Sequence, residues 1–473
     1  MSLLGLELSD AGILVAASKP AGLLEIDGNS VESPGFALPE KNRLIVGKAA
    51  ERKAHLYPRQ ILNQFWNQLN IEPLDQPSRY AQNHAEIAFA HFAHIWQTVK
   101  QHGKEMIIAV PSFYTREHLG LILGITQELG IPVKGFIPHA VAAVPERLPE
   151  GLLLHLDLHL HRFEVTCLER EEHLTQKDSM SAEGKGLSNL YRRWVDAIAE
   201  EFVRSTRFDP LHQAASEQEL YDRLPGILRQ LCRNSDVYFE MTGGSKVYHV
   251  TLTRDLFYKK GAPVFEEMSH FVSRFQERYG KTEAGLVLML SDRIAGLPGV
   301  KDMMGEIKNC KIIQLEPGAG ALGLVKFTSS LFKQQTANSS PFLTSRPVPA
   351  QDHISHEESS QDPKGQTAPT HILYRNLAYP ITEKPLVIGL QRAADGSGIK
   401  IEGKIAGVSR KHCTVQLEGN KVVLNDYSTY GTFVDENPVN EKTILLLGQM
   451  VRVGTPGETL NLIASLDKKT DET

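Results

Sequence analysis

Two stretches of the chain share one alternation of apolar and polar residues. Each begins with leucines at every second position, and an acid lies at the same place in the polar row, Glu7 in the first copy and Asp157 in the second. The apolar rows are Leu4, Leu6 and Leu8, and Leu154, Leu156, Leu158 and Leu160; the second polar row is His155, Asp157, His159 and His161. Such alternation predicts a strand with one face on a core. A second apolar strand follows each copy, so we predict a duplicated α/β domain with a cleft between its halves.

The sequence around these hairpins resembles that of the actin-like ATPase superfamily, which includes actin, sugar kinases and the DnaK-type chaperones. Residues 105–145 (EMIIAVPSFYTREHLGLILGITQELGIPVKGFIPHAVAAVP) are similar to the chaperone pattern V-P-A-x-F, helix, strand, E-P-x-A-A-A. Residues 285–299 (GLVLMLSDRIAGLPG) are similar to its adenosine-binding strand and turn. The resemblance covers residues 1–330, and it implies a duplicated, two-lobed actin-like (ribonuclease-H-like) fold with halves at about 1–150 and 151–330.

In that superfamily the two hairpins grip the phosphates of ATP, glycines let backbone amides approach the phosphates, and an Asp holds the metal. Here the acids stay as Glu7 and Asp157, the glycines are replaced, and the family's E-P is His139-Ala140. The resemblance therefore implies a degenerate nucleotide cleft formed by Glu7, Ser9, Asp10, Asp157, His159, His161, Asp292 and Arg293.

Two hypotheses for this cleft remain open. We prefer a scaffold without turnover, because phosphoryl transfer needs amides on the phosphates, a metal and a positioned water. The alternative is a divergent ATPase that binds ATP and magnesium, with Glu7 and Asp157 as catalytic groups. A metal site on the row of His155, His159 and His161 is disfavoured, because side chains at alternate positions of a strand lie about 7 Å apart.

Residues 331–370 differ from the rest in composition. Pro, Ser, Gln, Asp, Glu and Thr dominate, and Phe342 is the only aromatic residue between 334 and 370. Such a segment buries too little apolar surface to offset its ordering entropy, so we predict a disordered linker whose Ser and Thr residues are plausible phosphoacceptors. We also predict helices over residues 216–232, capped by Ser216, and over residues 264–279.

Residues 371–473 contain short apolar runs separated by Gly, Asn and Asp turns, which is typical of a β sandwich. The stretch VSRKHCTVQLEGNKVVLNDYSTYGTFVDENPV resembles a forkhead-associated (FHA) domain, whose sequence motifs are G-R, S-R-x-H and S-T-N-G-T. The resemblance implies phosphothreonine-peptide binding through Arg392, Ser409, Arg410, Thr429 and Tyr430, with structural roles for Gly389, His412 and Gly431. Two positions depart from the family pattern: its G-R arginine is Leu390, and its peptide-gripping Asn is Tyr430.

Composition limits the remaining function classes. The 473 residues carry a net charge of -5, which gives no reason to expect nucleic-acid or anionic-membrane binding. The four cysteines lack metal-ligand spacing, and no leader or membrane span is predicted, so we expect a cytoplasmic protein. We therefore expect a non-catalytic adaptor whose FHA domain recognises phosphothreonine on a partner protein or on its own linker, with the regulated ATPase as the alternative.

Overall fold

The computed structural model describes residues 3–280, 285–331, 345–347, 369–374, 377–391, 398–401, 407–419, 421–429, 431–434, 437–439, 441–447, 449–454 and 457–463. The chain divides into two compact units, Met1–Asp352 and His353–Thr473. The first unit is mixed α/β, and the second is built from strands. Within the described residues, no helix has both the length and the apolar character needed to cross a bilayer.

The first half of the Met1–Asp352 unit is built on one twisted sheet. Its strands are β1 (Leu3–Glu7), β2 (Ile13–Ser18), β3 (Ala21–Leu23), β4 (Glu32–Ser33), β5 (Ala37–Pro39), β6 (Leu44–Val46), β7 (Pro73–Ser78), β8 (Ala81–Asn83), β9 (Glu105–Val110) and β10 (Val133–Pro138). Its helices are α1 (Lys48–Glu51), α2 (His84–Val99), α3 (Arg116–Glu128) and α4 (His139–Ala143). The main sheet has the order β10-β9-β1-β2-β3, with β4 also paired to β2.

The second half is built around another six-stranded sheet and one two-stranded sheet. Its strands are β11 (Leu152–Leu158), β12 (Arg162–Arg170), β13 (His173–Glu183), β14 (Asp236–Gly243), β15 (Lys246–Thr253), β16 (Leu286–Leu290), β17 (Cys310–Gln314) and β18 (Ser345–Pro347). Its helices are α5 (Leu187–Thr206), α6 (Ala214–Leu231), α7 (Arg254–Tyr279), α8 (Asp292–Ala295), α9 (Val300–Gly305) and α10 (Ala319–Leu331), with a 3₁₀ turn at Pro210–His212. The sheet order is β17-β16-β11-β12-β13-β18.

The two sheets have equivalent pairing around their hairpins. In the first, β1 is antiparallel to β2 and parallel to β9, and β9 is parallel to β10. In the second, β11 is antiparallel to β12 and parallel to β16, and β16 is parallel to β17. Parallel pairs need a covering helix on each crossover, which explains why the central strands are buried on both faces. All seven residues of β11 are buried, so its polar row faces protein rather than solvent.

Four details differ from the sequence-based expectations. Helix α6 begins after Gln213, and the Ser216 hydroxyl inside it donates to Pro210 O and Gln213 O instead of capping it. Helix α7 begins ten residues earlier than predicted, because Thr253 caps it and Pro263 is accommodated in its interior. Strand β14, which we did not predict, pairs with β15.

The fourth difference lies in the predicted linker. Residues 345–347 form β18, which pairs with the start of β13, so this tripeptide belongs to a sheet and is not free chain. The pairing adds backbone hydrogen bonds, and the Arg346 side chain is buried. These contacts offset the entropy cost of ordering the tripeptide, which we had expected from composition to be too large. Residues 332–344 and 348–368 lie outside the described part of the chain.

The second unit consists of two sheets. Its strands are β19 (His371–Tyr374), β20 (Leu377–Pro380), β21 (Leu386–Gly389), β22 (Ile399–Lys400), β23 (Cys413–Glu418), β24 (Lys421–Asp426), β25 (Thr432–Val434), β26 (Asn437–Pro438), β27 (Lys442–Leu445), β28 (Met450–Val453) and β29 (Glu458–Ile463). The sheet orders are β20-β19-β29-β28-β25-β26 and β22-β21-β23-β24-β27. One apolar core of residues from both sheets, including Ile372, Val415 and Leu460, completes the sandwich.

Candidate functional site

The acids of the two hairpins are brought together in the first unit, at the end of β1 and in β11. Glu7 and Asp157 are both buried, and His139 lies between them at the start of α4. His139 Nδ1 is 2.9 Å from Asp157 Oδ2, and His139 Nε2 is 3.5 Å from Glu7 Oε2. One imidazole therefore bridges the two acids that the sequence pattern singled out.

The electrostatics of this bridge favour a charged imidazole. Burial opposes the charge of His139, but the carboxylates of Glu7 and Asp157 outweigh it and raise the pKa of His139 to about 10. Burial likewise opposes the charged carboxylates, yet the His139 imidazolium and the Arg293 guanidinium hold the pKa values of Glu7 and Asp157 below their usual range. The cluster at neutral pH is thus a buried imidazolium between two carboxylates.

Glu7 has two further partners. Its Oε2 accepts hydrogen bonds from the amides of Gly320, at 3.0 Å, and Ala321, at 3.3 Å, in the first turn of α10. Unpaired amides at a helix N-terminus carry partial positive charge, so they stabilise a carboxylate. The Arg293 Nη1 lies 3.7 Å from Glu7 Oε1.

Arg293 closes the side of the cluster from α8. Its Nη2 donates to Gly12 O and to Glu32 Oε1, both at 2.8 Å, and its side chain is largely buried. Arg293 thus connects the second half of the unit to the β1–β2 hairpin and to β4. The sequence pattern placed Arg293 at the cleft, but it gave no sign of Glu32 as its partner.

The two hairpin turns also contact each other directly. Ser9 Oγ lies 3.0 Å from His159 Nδ1, and the Leu160 amide donates to Asp10 Oδ1 at 2.6 Å. These bonds join residues about 150 positions apart in the sequence, and all four residues are buried. The predicted residues Ser9, Asp10 and His159 therefore belong to the cleft, where they hold the hairpins together.

Two predicted residues lie apart from the acid pair. His161 Nε2 lies 2.9 Å from Asn63 O and its Nδ1 lies 3.2 Å from Gln64 Nε2, so it contacts the loop that precedes β7. Asp292 is half-buried at the start of α8, and burial raises its pKa. Among the described residues, Asp292 forms no ion pair with the rest of the cluster.

His155 is a buried neighbour of the bridge that sequence reasoning assigned only to a metal alternative. Its ring lies 5.3 Å from that of His139, and burial together with the positive His139 lowers the pKa of His155 to about 3. His155 is therefore neutral. No group of three or more His, Cys, Asp or Glu side chains in the described part of the chain is arranged as metal ligands.

These residues do not fit magnesium and ATP. Magnesium requires carboxylate oxygens that are free to coordinate it, whereas Glu7 and Asp157 are paired with His139, Arg293 and the start of α10. Asp157 and His159 have at most 1% of their surface exposed, so a nucleotide could not touch them without opening the cleft.

A second candidate site lies at one end of the sandwich, where three loops meet. Ser409 is half-buried, and its Oγ accepts a hydrogen bond from the Thr429 amide at 3.4 Å, so the two loops are adjacent. Arg410 is exposed, and its guanidinium has no hydrogen-bond or ion-pair partner among the described residues. Its backbone carbonyl accepts a bond from the Gln391 amide. A hydroxyl and a free cation therefore lie together at the loop ends.

His412 holds these loops from inside. It is fully buried, its Nδ1 accepts a hydrogen bond from the Ser409 amide at 3.1 Å, and its Nε2 lies 3.1 Å from Gly431 O. Burial lowers the pKa of His412, which keeps the ring neutral with one donor and one acceptor, as this pair of contacts requires. Gly431 has a φ of +85°, a conformation that favours glycine.

Gly389 is required by close packing. A Cβ at this position would overlap the carbonyl of Arg410, so a larger residue would displace the loop that carries Ser409 and Arg410. The neighbouring Leu390 packs partly against the sandwich core, and its amide donates to Ser409 O at 3.1 Å. The predicted binding residues Arg392 and Tyr430 lie outside the described residues.

Comparison with known families bears on this sandwich. The family profile of the FHA domain matches residues 392–454. The chain therefore carries a C-terminal FHA domain. A search of curated proteins gives no match to the chain. The described loop ends around Ser409, Arg410 and Thr429 lie within the matched segment.

The FHA domain also contains an organising acid that sequence reasoning missed. Asp426 Oδ1 accepts hydrogen bonds from the Ser428 amide, at 3.0 Å, and the Thr432 hydroxyl, at 2.7 Å, and Oδ2 accepts from Ser428 Oγ at 3.1 Å. These bonds shape the loop that carries Thr429. An Asp two residues before a Ser, in a segment rich in turn-forming residues, is a recognisable sequence signal of a turn in which the Asp side chain bonds the backbone. Lys411 lies over the Tyr427 ring, 4.3 Å from its centre, and adds a second cation nearby.

Proposed function

We propose that the protein is an adaptor that binds phosphothreonine peptides through its FHA domain, attached to an actin-like scaffold that uses no nucleotide. The observation that carries the first part is the Arg410 cation, which has no partner among the described residues and adjoins Ser409 within a segment that matches the FHA profile. In this proposal residues 1–330 are the scaffold, 371–473 are the FHA domain, and residues 331–370 connect them, with residues 345–347 of this stretch paired to the scaffold sheet as β18.

The chemistry of the loop ends suits a phosphate. Ser409 Oγ and the Arg410 guanidinium would donate hydrogen bonds to its oxygens, and charge-assisted bonds of this kind are about twice as strong as neutral ones. Thr429, whose amide is held on Ser409, would support the peptide backbone. We assign Arg392 and Tyr430 to the same pocket as predictions.

The scaffold assignment rests on pairing and charge. The equivalent strand order of the two sheets supports a duplicated actin-like fold. The pairing of Glu7 and Asp157 with the His139 imidazolium supports a cleft in which a side chain replaces the metal. The rival hypothesis, a divergent ATPase regulated through its FHA domain, needs both acids free, and this network disfavours it.

The partner in this proposal is a protein with a phosphorylated threonine, either another chain or the protein's own linker. We expect full-length protein to bind phosphothreonine peptides at micromolar affinity and to prefer them to phosphoserine peptides. Arg410→Ala should weaken binding about ten- to a hundredfold, because it removes a charge-assisted bond worth about 1.5–3 kcal/mol. Fluorescence anisotropy with labelled peptides measures this.

Lys411→Ala is the matched control, because it removes an adjacent exposed cation that packs on Tyr427. We expect it to change affinity by less than about threefold, as rim charges do. Arg392→Ala then shows whether a second guanidinium contributes. Leu390→Arg, which restores the family residue, should strengthen binding only if the gain exceeds the loss of Leu390 packing. Equal binding of phosphorylated and unphosphorylated peptides would refute the proposed pocket.

A further inference from the structure

Arg346 is a buried arginine, and the charge of Glu146 acts on it without a direct ion pair between the two side chains. It lies in β18, paired with Leu174 of β13, and only 1% of its surface is exposed. Among the described residues it forms no ion pair. A buried charge destabilises the fold unless it is well hydrogen-bonded. The contacts of this guanidinium are therefore important for the local structure.

The guanidinium contacts two elements. Its Nη2 donates to Val144 O at 3.2 Å and to Pro145 O at 3.3 Å, directly after the end of α4. Its central carbon also lies 3.8 Å from the centre of the Phe327 ring on α10. Backbone carbonyls accept hydrogen bonds from a guanidinium, and an aromatic face attracts a cation, so both contacts suit arginine.

The other ends of the same two helices hold Glu7. Helix α4 begins with His139, whose Nε2 lies 3.5 Å from Glu7 Oε2, and α10 begins with the amides of Gly320 and Ala321 that bond this oxygen. The helices are in close contact, because a side chain at Gly323 would overlap the carbonyl of Ala142. Arg346 and Glu7 thus contact opposite ends of the pair formed by α4 and α10.

Helix α4 depends on outside contacts for its position. It has five residues and no side-chain cap at its N-terminus, and Val144 after it is extended. A helix this short is unstable by itself, so its place is set by tertiary contacts at both ends. Arg346 supplies the contact at the C-terminal end.

We propose that β18 is a releasable strap that locks the cleft: while Arg346 is docked, α4 and α10 are held around Glu7, and release of β18 frees them. The chain continues from Pro347 to the first strand of the FHA domain at His371. Release of β18 from β13 would therefore act on the cleft through Arg346. This proposal does not depend on phosphopeptide binding.

The test compares Arg346→Met with Lys326→Met in full-length protein. Lys326 lies near the same Phe327 ring, but its side chain is 64% exposed. Lys326→Met is therefore the matched control, because it also removes a cation beside this ring. Acylation by diethylpyrocarbonate, read by mass spectrometry, reports opening of the cluster, because the reagent attacks only a neutral imidazole and His139 becomes neutral once it leaves Glu7 and Asp157. We expect at least tenfold faster labelling of His139 in Arg346→Met and unchanged labelling in Lys326→Met. Amide exchange in residues 139–144 and 319–324 should accelerate together.

His91 is the internal control, because it is fully buried in α2 and bonded to Ser33 and Trp66. Labelling of His139 at the wild-type rate in Arg346→Met, with β18 exchanging freely, would overturn the proposal. If His91 also becomes reactive, the variant has unfolded and a second experiment is needed. Amide exchange of wild-type protein is then measured at increasing urea concentrations. Loss of protection in 139–144, 319–324 and 345–347 in one step before His91 supports the strap, whereas separate steps overturn it.

Discussion

Replacing His139 by glutamine removes the charge at the centre of the buried cluster and keeps a similar side-chain size. The imidazolium lies 2.9 Å from Asp157 and 3.5 Å from Glu7, and all three residues are buried. Removing one partner of a buried ion pair leaves an uncompensated charge and costs about 3–5 kcal/mol. Because whole domains are stable by about 5–15 kcal/mol, this loss would be a large fraction of the stability of the unit.

The pH dependence gives a sharper signature. The pKa of His139 is raised from 6.5 to about 10 in the folded state. Between these values the folded protein holds a proton that the unfolded chain releases, so stability falls as pH rises, by about 1.4 kcal/mol per pH unit at most. The stabilisation is complete below pH 6.5 and is lost as pH passes through about 10. His139→Gln should abolish this slope.

Urea unfolding between pH 7 and pH 9.5, followed by tryptophan fluorescence, measures the effect. The three tryptophans, Trp66, Trp96 and Trp194, all lie within Met1–Asp352, so the signal reports that unit. His91→Gln is the control: burial lowers the pKa of His91 to about 3, so this buried histidine contributes no slope in the same window. Equal slopes in wild-type protein and His139→Gln would refute the charged bridge.

Two further predictions concern the cleft and the FHA loop. Addition of millimolar ATP and Mg²⁺ should leave the melting temperature of the full chain unchanged, whereas a ligand at 100 times its Kd would add about 2.7 kcal/mol; a clear shift that Asp157→Ala abolishes would contradict the scaffold. Asp426→Ala, which removes the bonds to Ser428 and Thr432, should destabilise the FHA domain by about 1–3 kcal/mol and accelerate amide exchange in residues 421–434; unchanged exchange would contradict its organising role.

Local patterns in the sequence determined much of the secondary structure. The alternation around Glu7 and Asp157 located both hairpins, because a strand places side chains on two faces with a period of two. The spacing of S-R-x-H and S-T-x-G-T located the FHA loops, because each residue type there meets a local backbone requirement. Gly389, for example, lies where any side chain would overlap the Arg410 carbonyl.

Local signals failed where distant contacts decided the outcome. A helix was predicted over residues 264–279 and a linker over residues 331–370, but α7 begins at Arg254 with Pro263 inside it, and residues 345–347 pair with β13 as a strand. Propensity is a weak local energy, and burial or sheet pairing exceeds it.

The chemistry of the cleft was decided by tertiary structure. The sequence by itself determined that Glu7 and Asp157 lie in two similar hairpins. It could not show that His139 lies between the two carboxylates, that Arg293 reaches Glu32, or that Arg346 grips the helices that hold Glu7. The groups that contact Glu7 lie up to 314 positions from it in the sequence, as for the Ala321 amide, and only the folded chain brings them within a few ångströms. Whether a carboxylate is free or paired depends on that distance, because burial multiplies the strength of every charge interaction.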